Sequence, residues 1–130
     1  MDFVKDVHSY LRLIILVLGA LGVLRSLVSL GTARATFMRI DESLGRGYSL
    51  ALDAQTLAGA LLAVGLLGQA GAVTWIHPII MLPAVVVSHA GRRFRSRPDR
   101  DRHKAQLAIY AVSLVLIAVG LAVIGELKLR

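Results

Sequence analysis

Four apolar runs dominate this chain, at about 7–30, 50–68, 72–90 and 105–124, with only short polar or basic stretches between them. A helix must keep roughly 20 residues apolar to cross the hydrocarbon core of a bilayer, because each residue advances it only about 1.5 Å. Each run reaches about that length. The water-soluble alternative would have to hide nearly every face of four helices. A chain of 130 residues, 56% of them hydrophobic, has too little interior for that. The expectation is therefore an all-α, integral membrane four-helix bundle, a single domain over 1–130.

Charge placement predicts the orientation. Arg92, Arg93, Arg95, Arg97, Arg100, Arg102 and Lys104 crowd between the third and fourth runs, with Asp99 and Asp101 as the acidic residues there. The stretch 31–49 carries Arg34, Arg39 and Arg46 against Asp41 and Glu42. Basic loops stay on the cytoplasmic side, so both termini are expected on the outer side of a bacterial cytoplasmic membrane. The net charge of +7 is then topological and needs no nucleic acid. The 91–104 loop is also suited to anionic lipid headgroups. The first run is longer than a signal-peptide core and contains Arg12 and Arg25, which reads as a retained helix. With no cysteine in the chain, disulfides, thiolate metal sites and cysteine nucleophiles are excluded. Nothing resembles a phosphate loop or a zinc-protease helix.

Local signals refine the elements. "GQAG" (68–71) predicts a tight turn that makes spans two and three an antiparallel hairpin. Ser49 is a candidate N-cap for span two. Pro78 suits a first helical turn, with His77 at the helix mouth; a start near Ala72 would instead put Pro78 in the second turn. Pro83 should kink span three.

Polar residues inside lipid are costly and usually face the bundle interior. His8 opens span one and His77 opens span three, at one level of two parallel helices. His89 ends span three and His103 opens span four, at the other level. Twelve positions separate His77 from His89, about 18 Å along a helix axis, with directions about 120° apart. One site cannot easily use both. Arg12 lies four residues after His8, on the same face, and that face continues through Ile15, Gly19, Gly22 and Ser26. Such a wall suits a haem: histidine as axial ligand, Arg12 at a propionate, glycines against the ring. Arg25, Asp53 and Gln55 are expected to join His89 and His103 in an inner polar cluster. Its plain reading is an ion pair of Asp53 with Arg25 or Arg92; its functional readings are a second haem, a quinone pocket or a proton relay.

"HSYLR" (8–12), "LDAQTLAGALL" (52–62), "HPIIML" (77–82), "SHAGRR" (88–93) and "DRHK" (101–104) occur in that order. Together they resemble small bacterial four-span proteins grouped as cytochrome-b-like. The chain departs from that pattern at Ile76, where an acidic residue precedes the His-Pro pair, and at Leu13, where an aromatic follows the arginine. The resemblance implies b-type haem, with His8, Arg12, His77, His89 and His103 as cofactor-binding residues and electron transfer as the activity. Two hypotheses follow. In the first, His8 and His77 ligate one haem b, a second haem or a quinone sits near His89 and His103, and electrons pass to or from a redox partner. In the second, the chain is a non-catalytic accessory subunit of a larger membrane redox or photosynthetic complex. The small-residue faces also admit a homodimer.

Overall fold

A computed structural model describes residues 2–65 and 73–129. Among them the fold is entirely helical: α1 (Asp2–Leu30), α2 (Arg39–Gly65), α3 (Val73–Ser88), a short 3-10 turn η1 (Ala90–Phe94) and α4 (Asp99–Leu129). The packing order is cyclic. α1 lies against α2 and α4, α3 also lies against both, and α1 and α3 face each other across the diagonal. The 31–38 and 89–98 connections share one end, here the basic end. The chain start and the α4 C-terminus share the other, the terminal end. The expected turn at 68–71 falls outside the described residues.

Three helices, α1, α2 and α4, are long and apolar enough to cross a membrane. The third expected span, 72–90, is described as α3, which has 16 residues with Pro78 and Pro83 inside it. Pro78 sits in the second turn, which is the alternative of a start near Ala72, and His77 is within the helix rather than at its mouth. Leu13, Leu24, Val28, Val86 and Val115 are all more than half exposed, forming the apolar exterior that a bilayer would cover.

α2 begins at Arg39 rather than near Leu50, and the cause is a cap. Asp41 accepts the Met38 amide at 2.8 Å while the Asp41 amide donates to the Met38 carbonyl at 3.0 Å. This is the back-reaching half of a capping box. Ser49 therefore lies inside α2 instead of capping it; its hydroxyl donates to the Ser88 carbonyl at 2.8 Å, tying α2 to α3. α1 stops at Gly31, and α4 finishes its end. Arg100 donates to the carbonyls of Leu30, Thr32 and Ala33, supplying partners that a helix C-terminus lacks and a cation that suits its dipole. The loop so pinned holds Ala35 at φ 44, a left-handed conformation that costs a non-glycine residue about 1 kcal/mol.

The core runs along the bundle axis through Ile15, Tyr48, Leu52, Ala84, Tyr110 and Ile117. Tyr48 and Tyr110 meet edge to face with ring centroids 5.1 Å apart. Their polar ends are provided for. The Ser113 hydroxyl donates to the Ile109 carbonyl at 2.6 Å, so at 2.6 Å from Tyr48 it accepts the phenol proton. A buried phenol without that partner would lose about 1–3 kcal/mol.

Candidate functional site

The predicted face of α1 is buried as expected: Ile15, Gly19, Gly22 and Ser26 all point inward. What meets it is protein. A Cβ added at Gly19 would come 2.7 Å from Leu114, and one at Gly22 would strike the Tyr110 ring. These glycines serve close approach of α1 and α4, so the wall expected for a haem is filled by α4. The glycines beside the histidines are different ones. Gly59 of α2 lies against His8, whose Cε1 would be 3.4 Å from an added Cβ. Gly120 of α4 lies against Met81 and His77; a Cβ added there would come 2.9 Å from the Met81 sulfur and 3.6 Å from His77 Nδ1.

Around these glycines the terminal half of the bundle holds polar atoms without partners. Among the described residues, His8 Nδ1, Gln55 Oε1 and His77 Nδ1 are buried and make no hydrogen bond. His8 Nε2 lies 3.4 Å from the Gln55 amide nitrogen. An amide can turn about its last bond, and its oxygen and nitrogen are assigned by partners. With Oε1 turned toward the ring, His8 Nε2–H donates and Nδ1 carries a free lone pair. That is the state of a ligand histidine whose second nitrogen is held by an outer partner. His77 and Arg12 are close enough to act electrostatically on His8, and Arg12 acts on His77 as well. Arg12 itself is exposed. His8 and His77 thus lie in the same half of the bundle, and Gln55 joins His8.

Gln55 was expected at the other level. The early start of α2 moves it up the bundle, away from Asp53's partner. The expected inner cluster divides into three separate contacts. Arg25 pairs with Asp41, not Asp53: Nε donates to Oδ1 at 2.7 Å, and the carboxylate side chain is 4% exposed. Asp53 pairs with His89, Nε2 to Oδ1 at 2.8 Å, rather than with Arg25 or Arg92. His103, 1% exposed, donates to the Thr36 carbonyl at 2.9 Å, packs on Phe37 at 4.9 Å and lies 3.9 Å from Asp41. His89 occupies the position before η1 and caps nothing with its side chain. His89 and His103 are therefore engaged apart, each by a protein group.

Asp41 is the residue that sequence reasoning passed over. It takes Arg25, the Met38 amide and the proximity of His103 in one place. The available signal was an acid in the first turn of a polar helix start.

No family model, no curated protein and no solved structure matches this chain. The donor set must speak for itself. No group of three or more His, Cys, Asp or Glu converges among the described residues. A haem brings its equatorial nitrogens and needs only axial side chains. Two partly buried imidazoles whose Nδ1 atoms are buried and unpartnered among the described residues, each beside a glycine, fit that requirement. The Gly19–Gly22 wall does not contribute to it.

Proposed function

We propose that this chain is a small membrane electron carrier that holds b-type haem at the terminal end of its bundle. His8 and His77 are the axial ligands, Gln55 orients the His8 ring, and Arg12 meets a propionate. The observation that carries this reading is the pair of buried, unpartnered histidine nitrogens on helices that face each other across the bundle. Buried polar atoms are normally satisfied, and three orphans in one region suggest a missing partner. When bound, haem supplies reversible one-electron chemistry at a potential set by its axial ligands and surroundings. The protein's part is to exclude water with Met81 and the neighbouring apolar side chains, and to fix both rings.

The setting that goes with this function is a bacterial cytoplasmic membrane. The arginine-rich basic end faces the cytoplasm under the positive-inside rule, and both termini lie outside. The haem would then sit toward the outer face, within reach of a redox partner there.

Absorption spectroscopy of the purified chain, reconstituted with haemin and reduced with dithionite, tests the reading. A sharp α-band is expected. It should vanish in His8→Ala and His77→Ala and persist in His89→Ala, whose ring is held by Asp53 at the other end. A flat spectrum in the unaltered chain would sink the proposal.

A further inference from the structure

The basic end holds a cavity of about 190 Å³ between α2, η1 and α4. Arg46, Arg92, Arg95 and Arg102 line it against a single carboxylate, Glu42. Glu42 is shared: Arg46 lies 3.5 Å from it and Arg95 4.0 Å. Arg92 and Arg102 have no carboxylate within salt-bridge distance among the described residues. Arg102 is instead held by the Phe37 face, 3.9 Å from the ring centroid. The back wall is Gln106, which packs where Gly45 and Gly91 lack side chains; an added Cβ at those positions would come 2.6 and 3.4 Å from its amide nitrogen. Four guanidiniums around one carboxylate leave a concave surplus of positive charge, the setting that binds phosphoryl oxygens.

The lip of the cavity says how that phosphoryl group arrives. Leu50 lines it and is 61% exposed. Leu57, Leu61 and Val64 are also more than half exposed, and at a helical period of about 100° per residue all four fall in one stripe along α2. A polar cavity thus opens onto an apolar track running up the outside of the bundle. The geometry points to a specific phospholipid site: an anionic headgroup phosphate seated among Arg92, Arg95 and Arg102, with acyl chains along the Leu50–Val64 stripe. This goes beyond general attraction of a basic loop to a charged membrane, because it assigns one lipid to one cavity. It is also independent of haem, which belongs to the opposite end.

The test is native mass spectrometry of the full chain released from nanodiscs containing equal amounts of phosphatidylglycerol and phosphatidylcholine. One phosphatidylglycerol per chain should survive. Arg92→Gln with Arg95→Gln should lower its retention about tenfold or more. Arg93→Gln with Arg97→Gln removes the same charge outside the cavity and should leave retention nearly unchanged. Both pairs are exposed, and unaltered helical circular dichroism would show that each variant folds. Equal loss in the two double variants would reduce the site to diffuse attraction and overturn it. Equal retention of phosphatidylcholine would do the same. If inorganic phosphate alone displaces the lipid completely at millimolar concentration, a free anion is the ligand and the lipid assignment fails.

Discussion

The two ends of this bundle treat polar groups in opposite ways. At the basic end, among the described residues, the buried acid and the buried imidazole both close contacts, and an exposed arginine closes a helix end. Asp41 receives Arg25 and the Met38 amide, His103 reaches Thr36, and Arg100 finishes α1. At the terminal end His8, Gln55 and His77 leave three buried atoms without partners among the described residues. The same helices run through both ends and bury polar atoms at each, so burial alone does not separate them. Satisfaction does. A polar group that is fully bonded within the chain is explained by the fold, whereas one left open asks for something the fold does not supply.

The contrast makes a stability order. Its largest step is Asp41→Ala. That change removes the cap of α2, leaves the Arg25 guanidinium without its carboxylate and takes away His103's acidic neighbour. Breaking a buried pair costs about 3–5 kcal/mol, and Arg25, with its side chain 38% exposed, recovers some hydration. A loss of about 3 kcal/mol is expected, read from reversible unfolding in mixed micelles with dodecyl sulfate. A loss below about 1 kcal/mol, the range of a surface ion pair, would mean that the basic end is not held by this contact.

A middle step lies between the ends, where α1 meets α4. Gly22→Ala places a methyl into the Tyr110 ring, and overpacking of this kind costs about 1–3 kcal/mol. Tyr110→Leu should restore part of the loss when combined with Gly22→Ala, because the ring is the obstacle. Simple additivity of the two in unfolding measurements would show that the helices separate instead of repacking.

Much of this architecture was legible in the chain. Hydropathy runs marked four helices, and the 3.6-residue period picked out the buried face Ile15–Gly19–Gly22–Ser26. Depth counting brought His8, Arg12 and His77 together. The errors share one physical origin. Residues 39–49 are polar, so hydropathy stops at Leu50, but an acid in the first turn can start a helix that no apolar run announces. Extending α2 back to Arg39 carries Asp41 under Arg25 and lifts Gln55 to His8. The partners of Arg25 and Gln55 changed for that reason. What fills the glycine face was equally hidden, since Tyr110 and Leu114 lie on a helix whose rotation only packing decides.

The smallest effect on stability is the most informative, and it belongs to His77. Its Nδ1 is buried beside Gly120 and Met81, and no partner among the described residues meets hydrogen-bond geometry, although the Gly120 backbone lies near enough to act on the ring. Leucine has similar bulk and no polar atom to satisfy, and replacing an unsatisfied buried group by an apolar one can be neutral or stabilising. In the haem-free chain His77→Leu should therefore change unfolding by less than about 1 kcal/mol, or raise stability slightly. His8→Leu is a poorer probe because it also strips Gln55 of its neighbour. Added haemin should then separate the two proteins. A ligand that binds only the folded state stabilises it by mass action, so the unaltered chain should gain midpoint and His77→Leu should gain little. If His77→Leu unfolds the haem-free chain as readily as Asp41→Ala does, His77 is part of the framework, and the distinction between a satisfied end and an open one collapses.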